Sequence, residues 1–185
     1  MDDKTLHTLE YFKILDRLAD HTAFAASRDR VLALRPTHDI DEARRLQAET
    51  TEAVQFLITR PDMTIGGARD IRASVDLANH GGVLTPQDLL DIKYTLVSAR
   101  SLARTFERIA DAYPRLAEIA AQLPPPLGLI DAVSRAISDR GEIQDSASEK
   151  LSDIRRDLRV FHDRLMGKLQ KLVGDPKNAP YLQGH

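Results

Sequence analysis

Apolar residues recur at spacings of three, four and seven positions along the last third of the chain. They are Leu151, Ile154, Leu158, Phe161, Leu165 and Leu172. This spacing places them on one side of a helix. Asp145, Ser146 and the capping-box pattern Ser146-Ala-Ser-Glu149 predict its start. Asp175-Pro176 predicts its end, because proline has no amide hydrogen to donate. We therefore expect one helix over 146–174, about 40 Å long.

Helical periodicity also covers most of the preceding sequence. The predicted helices span about 4–20, 23–34, 39–60, 68–79, 85–110, 114–122 and 127–138. Asp39 and Thr85-Pro86-Gln87-Asp88 are strong start signals, since each offers a side-chain oxygen to free amides of a first turn. Residues 62–67 are expected to form a loop and residues 142–144 a short extended stretch. Sustained alternation is missing, so the sequence predicts an all-α bundle with almost no sheet.

Composition excludes several classes of protein. The 185 residues contain no cysteine, which rules out disulfides, thiolate zinc sites and cysteine nucleophiles and agrees with a reducing compartment. The N-terminus lacks a signal-peptide pattern, and no apolar run approaches the ~20 residues of a membrane span. The net charge of −2 argues against strong autonomous binding of nucleic acid, which normally requires a basic excess.

Candidate catalytic chemistry is sparse. Gly66-Gly67 and Gly81-Gly82 lack the Gly-Lys-Ser/Thr that completes a phosphate-binding loop. The six histidines do not occur at helical metal-ligand spacing. We therefore predict no catalytic, cofactor-binding or metal-binding residue in this chain.

Two acidic clusters have alternative interpretations. His38 with Asp39, Asp41 and Glu42 could hold a metal ion, but an acidic first turn that complements the helix dipole is the simpler interpretation. Glu49-Thr-Thr-Glu52 could present paired carboxylates, but no nucleophile lies nearby in the sequence. We interpret it as a solvated helix face.

The predicted long helix carries seven basic and four acidic residues, a local excess of +3. One interpretation is a flank that neutralises nucleic-acid phosphates. Its candidate contact residues are Arg155, Arg156, Arg159, Arg164, Lys168 and Lys171. The other interpretation is an ordinary charged outer face, stabilised by ion pairs such as Asp153–Arg156 and Asp163–Lys168.

Four stretches, in order along the chain, resemble the bacterial MutS-II family. They are Leu9-Glu-Tyr-Phe-Lys-Ile-Leu15, Glu49-Thr-Thr-Glu-Ala53, Gly81-Gly-Val-Leu84, and Gly141-Glu-Ile-Gln-Asp-Ser-Ala-Ser148 with Leu151 and Ile154-Arg155. The last stretch is the most specific. Ala179-Pro-Tyr-Leu-Gln-Gly-His185 resembles the start of the clamp segment of that family.

The resemblance implies a DNA-binding homodimer with an ABC-type ATPase that uses ATP and magnesium. Such proteins act in the cytoplasm on branched recombination intermediates, restrain homologous recombination, and carry a C-terminal Smr nuclease. Residues 1–145 would be the helical core and lever bundle, 146–174 an arm projecting toward a clamp, and 175–185 the start of that clamp. The enzymatic positions would then lie outside this chain.

Two other functions stay open at this point. Some family members are linked to rescue of collided ribosomes, so the helices could form a ribosome-binding scaffold. A helical protein-interaction module without nucleic acid is also compatible with the weak net charge. In the DNA-handling interpretation, the arm transmits motion through a packed seam, and Phe161→Ala is predicted to cost about 3–5 kcal/mol if that site is fully buried.

Overall fold

A computed structural model describes residues 2–64, 67–175 and 177–178. Within these ranges the chain forms α1 (Asp3–Thr8), α2 (Tyr11–Ala19), α3 (Ala25–Leu32), α4 (Ile40–Thr59), α5 (Arg72–Asn79), α6 (Pro86–Arg108), α7 (Pro114–Ala121), α8 (Leu129–Ala136) and α9 (Glu149–Gly174). A 3-10 turn, Asp145–Ala147, precedes α9. The β structure in these ranges is one antiparallel bridge between Ile137 and Ile143, where an extended stretch was expected. The predicted all-α class is confirmed.

The chain divides into two compact units, Met1–Asp131 and Ala132–His185. The first contains α1 to α7, and the second contains α9 with the turn before it. The predicted boundaries after residues 145 and 174 remain a prediction. Residues 179–185, expected to begin a clamp, lie outside the described residues. Among those that are described, no helix combines the length and apolar character that crossing a membrane requires.

The first unit is held together by aromatic and aliphatic packing between helices. Phe56 on α4 is buried, and its ring centroid lies 4.9 Å from that of Phe106 on α6 and 5.4 Å from that of Tyr113 before α7. These distances suit favourable edge and tilted aromatic contacts. Elsewhere in the unit, the largest fully buried side chains are Leu6 on α1 and Leu90 on α6.

The strongest start signals in the sequence are confirmed. The Asp39 carboxylate accepts the amides of Asp41 at 2.8 Å and Glu42 at 3.2 Å at the start of α4. At α6, the Thr85 hydroxyl accepts the Asp88 amide at 3.2 Å and the Asp88 carboxylate accepts the Thr85 amide at 2.9 Å. The Thr85 hydroxyl also donates to Asp88 Oδ2 at 2.6 Å, and this bond, together with the one from the Thr85 amide, lowers the pKa of Asp88. Both caps are local, so the sequence alone predicts them.

The helix expected over 4–20 is in fact two helices. Glu10 adopts a left-handed conformation with φ of 54° and separates α1 from α2. Such a φ is uncommon for a residue with a side chain. Leu6 on α1 and Leu15 on α2, on either side of this break, are both buried, at 2% and 3% exposure. Tertiary packing therefore overrides the continuous apolar pattern.

The long helix α9 is unbroken over 26 residues, or about 39 Å at 1.5 Å per residue. It starts three residues later than predicted, because Ser148 rather than Asp145 or Ser146 caps it by accepting the Leu151 amide at 3.1 Å. The predicted capping box from Ser146 is absent. Gly167 lies within α9, and a Cβ there would meet no atom within 4 Å apart from its chain neighbours and the backbone of its own helix.

The predicted packing of the α9 seam is wrong for the described residues. No residue of α9 is buried, and Leu158 and Phe161 are 63% and 64% exposed. Periodicity shows which face of a helix is apolar, but it does not show whether a partner covers that face. The destabilisation expected for Phe161→Ala depended on burial, so it does not apply to this chain.

Candidate nucleic-acid interface on helix α9

The base of α9 is fixed by Arg155, the first of the predicted phosphate-contacting residues. Its Nη1 donates to the Ile143 carbonyl oxygen at 2.9 Å and to Asp145 Oδ1 at 2.6 Å. The hydrogen bond from Arg155 lowers the pKa of Asp145. Arg155 thus joins the first turns of α9 to the segment that precedes the helix through its Nη1.

The segment that receives Arg155 is itself bound to α8. The Gln144 amide donates to the Ala136 carbonyl oxygen at 2.9 Å, and the Ser146 hydroxyl donates to the Arg135 carbonyl oxygen at 2.6 Å. Free carbonyl groups at the end of a helix need such donors. We call Ile143, Gln144, Asp145, Ser146 and Arg155 the α9 clasp. The most specific stretch of the sequence therefore forms a structural connection between α8 and α9.

Two more of the predicted residues carry weak ion pairs on the exposed surface. Arg156 Nη2 lies 3.0 Å from Asp153 Oδ1, which confirms the predicted pair, and Arg159 Nη2 lies 3.7 Å from Asp145 Oδ2. Side chains in both pairs are well exposed. Exposed pairs of this kind contribute about 0–1 kcal/mol, so phosphates could replace their carboxylates at little cost.

The other three predicted residues, Arg164, Lys168 and Lys171, lie on the C-terminal half of α9. Within the described ranges the structure gives them no ion pair. The predicted pair between Asp163 and Lys168 does not form, because five residues turn the helix by about 140° and separate the two side chains. The guanidinium of Arg164 lies 5.9 Å from the centre of the exposed Phe161 ring, within the range of a cation–π contact.

The acidic pair Glu49 and Glu52 does not form a solvated face, so that interpretation is wrong. Glu52 Oε2 accepts the amides of Arg115 at 2.9 Å and Leu116 at 3.3 Å, and its side chain is only 16% exposed. Glu49 Oε1 lies 2.6 Å from Arg45 Nη1. The two carboxylates bind different partners. Glu52 lies on α4 and caps the first turn of α7. The sequence gives no local signal for it.

The acidic cluster after His38 forms the first turn of α4, as interpreted. Asp39 caps the helix, Glu42 accepts the Thr37 hydroxyl, and Asp41 lies 3.7 Å from Arg44. Across the part of the chain that the structure describes, no three histidine, aspartate or glutamate side chains are grouped for a metal ion.

Comparison with known proteins gives relatives along nearly the whole chain, although no family model matches it. The chain is 38% identical over 182 residues to a protein named Endonuclease MutS2 from Thermomicrobium roseum, covering 97% of this chain and 23% of the relative. It is 38% identical over 183 residues to the protein of that name from Symbiobacterium thermophilum. With the Bacillus cereus protein of that name, identity is 36% over 176 residues.

These matches cover 97% and 99% of this chain, so they extend over the four sequence stretches. The chain spans about a quarter of the length of the relatives it matches. Nearly the whole chain therefore corresponds in sequence to one segment of the MutS2 family of proteins.

Proposed function

We propose that this chain is the N-terminal helical core and lever segment of a MutS2-type protein that acts on branched DNA and restrains homologous recombination. Its support is the 38% identity, over 97% of this chain, to a protein named as an endonuclease. In this proposal the ATPase, which uses ATP and magnesium, the nuclease and the dimer contacts belong to other parts of a cytoplasmic full-length protein. The segment itself performs no catalysis.

The mechanical part of the proposal rests on the connection at the base of α9. A helix transmits motion only when its ends are held. Two sites are coupled when each of them biases the equilibrium between two arrangements of the same element. The Arg155 contacts with Ile143 and Asp145 hold one end of α9 against the segment before it. We propose that nucleotide-driven motion elsewhere in the protein reaches the clamp through α9, and that α9 moves together with the α9 clasp.

Direct DNA contact by α9 is a separate step of the proposal. Arg156, Arg159, Arg164, Lys168 and Lys171 extend into solvent and are the available residues, whereas Arg155 is occupied by the α9 clasp. Each phosphate contact that releases a counterion steepens the dependence of log affinity on log salt by about 0.9 for duplex DNA.

The test uses the full-length protein with a four-way junction and a linear duplex of equal length. We expect tighter binding of the junction across a salt series. Replacing Arg164, Lys168 and Lys171 by glutamine should reduce the slope of log affinity against log salt by up to about 2.7. The matched control is Arg44→Gln with Arg100→Gln and Arg104→Gln, three cations outside α9. A full-length protein without junction preference would contradict the DNA proposal. An unchanged slope would contradict direct contact by α9 only.

A further inference from the structure

Three arginines on α6 lie in a row, about one helical turn apart. Arg100, Arg104 and Arg108 are four residues apart, so the row rises about 12 Å along the helix and stays within about 80° of its circumference. Arg104 and Arg108 are exposed, and Arg100 is half-buried. Among the described residues, none of the three forms an ion pair with a carboxylate. We call these residues the α6 arginine row.

The stability of α6 explains only the end of this row. Arg108 is in the last turn, where a cation complements the helix dipole, and its Nε donates to the Arg104 carbonyl oxygen at 3.2 Å. The dipole acts within the last turn, so it does not account for Arg100, two turns earlier. Nearby Arg115, by contrast, lies 3.7 Å from the Glu52 carboxylate. The α6 arginine row therefore has positive charge available for another molecule.

A groove runs beside the row, between α6 and α7. It has a volume of about 400 Å³ and is lined by Ala103, Glu107, Ala110, Ala117 and Ala121. Residues three apart are neighbours on the surface of a helix, so Ala103 adjoins Arg100. Glu107 adjoins Arg104 in the same way. Because the distance between packed helices depends on the side chains at the contact, the alanines allow a third helix to lie close.

We propose that the α6 arginine row and this groove bind an acidic amphipathic helix of a partner protein. Carboxylates at every fourth residue of a helix rise in the same steps of about 6 Å as the arginines, so each arginine meets one carboxylate. Small apolar residues of the partner lie in the groove, and one basic residue faces Glu107. This inference goes beyond the proposed function, which assigns no partner to α6.

A nucleic-acid strand fits this surface less well. Glu107 and Asp111 are each three residues from an arginine of the row, and neither carboxylate is in an ion pair within the described residues. Like charges facing each other across an interface cost several kcal/mol, and a phosphate strand has no cation to place opposite them. A helix offers both signs of charge. Arg100 and Arg104 therefore stay suitable control cations for DNA titrations.

A second copy of this chain offers one helix with the same spacing of carboxylates, but a cation accompanies them. Glu149, Asp153 and Asp157 on α9 are four residues apart. Arg156 lies 3.0 Å from Asp153 and 3.9 Å from Asp157. It would meet the α6 arginine row cation against cation, at a cost of several kcal/mol. Charge complementarity therefore favours a partner whose acidic face contains no arginine.

The test uses the full-length protein and two labelled helical peptides of about 20 residues, a length that supports a helix in water. Both peptides contain the same amino acids and have the same net charge. In the first, glutamates recur at every fourth residue on one face, and in the second they are spread around the helix. We expect the first to bind at least about tenfold more tightly, because it alone aligns a carboxylate with each arginine. Equal affinities would overturn the inference.

Charge reversal locates the binding site. Arg100→Glu with Arg104→Glu should remove the preference for the first peptide, because two of its carboxylates then face like charges. The matched control is Arg17→Glu with Arg30→Glu, two exposed arginines on α2 and α3, and it should keep the preference. Circular dichroism shows whether the variants keep their helix content. A preference that survives the reversal, or that the control also removes, would overturn the inference.

The groove is tested by filling it. Ala121→Phe should weaken binding of the first peptide about tenfold, because the added ring occupies the space of the partner helix. Ala112→Phe, at an exposed alanine that does not line the groove, should leave binding unchanged. Unchanged binding by Ala121→Phe would overturn the groove contact, because charge attraction to the arginines would then be sufficient.

The kind of partner is tested in cells that produce the full-length protein with a photo-crosslinking amino acid at Val97. This residue is 36% exposed and lies three positions before Arg100, on the same side of α6. We expect a link to a different protein, at a helix with three carboxylates four residues apart. Arg100→Glu with Arg104→Glu should remove this link, and the Arg17 and Arg30 control should keep it.

A link to another part of the same protein, to a second copy, to nucleic acid, or to no molecule would each overturn the inference. Mixing isotopically light and heavy protein distinguishes links within one chain from links between copies. Affinity for the four-way junction is measured in a separate experiment. Failure of the proposed function and failure of this inference are therefore distinguishable.

Discussion

The Glu52 carboxylate on α4 accepts the backbone amide of Arg115 at 2.9 Å in the first turn of α7. The two residues are 63 positions apart in the chain. The amide groups at the start of a helix have no partner within that helix, so they are commonly capped by a nearby side chain. Here the cap comes from a different helix, so Glu52 both completes α7 and joins it to α4.

Removing this cap tests its contribution to stability. We expect Glu52→Ala to lower the free energy of unfolding by about 1–2 kcal/mol, because two amides lose their acceptor. Glu49→Ala is the matched control one helical turn earlier and removes only the pair with Arg45, at a cost below about 1 kcal/mol. Urea unfolding followed by circular dichroism measures both. Equal losses would show that Glu52 acts only through its charge.

Two phenylalanines differ in whether other residues cover them. Phe56 is 4% exposed and Phe161 is 64% exposed. We expect Phe56→Ala to cost about 3–5 kcal/mol, because it leaves a cavity beside Phe106 and Tyr113. Phe161→Ala should change the stability of the 185-residue protein by less than about 0.5 kcal/mol. Denaturant unfolding of the two variants decides this, and a large loss for Phe161→Ala would show that its face is covered.

The contact between Asp145 and Arg155 in the α9 clasp predicts that the stability of the protein decreases as the pH falls. Arg155 lowers the pKa of Asp145 from its ordinary value of 3.8, so the folded state favours the ionised carboxylate. A group whose pKa is lower in the folded state contributes stability above the unfolded pKa and loses it as pH falls through the folded value. We therefore expect Asp145→Asn to destabilise the protein at pH 7 but to have little effect at pH 2.

Unfolding experiments at both pH values, with Asp157→Asn as a control in α9, measure that difference. An equal effect of Asp145→Asn at pH 7 and pH 2 would contradict a charge-dependent contact with Arg155.

Ser148 and Ser146 have different roles near the start of α9. Ser148 accepts the Leu151 amide, whereas Ser146 donates to the Arg135 carbonyl oxygen. We expect Ser148→Ala to destabilise the first turn by about 1 kcal/mol and to accelerate hydrogen exchange at the Leu151 amide. Ser146→Ala should leave that amide protected. Exchange measured by NMR compares the variants, and faster exchange at Leu151 in Ser146→Ala alone would assign the cap to Ser146.

Local chemistry explains which parts of the fold the sequence could predict. Asp39 and Thr85 cap their own helices, so neighbouring residues contain the whole signal. The sequence predicts that α5 begins near residue 68, but it begins at Arg72. Thr95 on α6 holds the backbone of Arg69 outside the helix with hydrogen bonds of 2.9 and 3.2 Å. That side chain lies 26 residues away, where no local pattern reveals it.

The candidate site shows the same limit. The six cations of α9 could be chosen by counting charges, but separating Arg155, which belongs to the α9 clasp, from the other five required the positions of its partners. Arg155 is the clearest example. Its acceptors, the Ile143 carbonyl oxygen and the Asp145 carboxylate, precede α9 in the chain, and the turn that begins at Asp145 brings them next to the helix. Direct contact between these cations and DNA stays a prediction.

Gly167 is expected to make one turn of α9 more flexible than the others. A glycine inside a helix is about 0.5–1 kcal/mol less favourable than alanine, because its backbone loses more freedom on ordering. Apart from its chain neighbours and the backbone of its own helix, no atom lies within 4 Å of the position that a Cβ would take, so no packed side chain supports that turn. If α9 is the lever that we propose, we expect a load applied near Leu172 to bend the helix at Gly167 before it reaches Arg155. The stiffness of this single turn would then set how much of the movement arrives at the other end of α9.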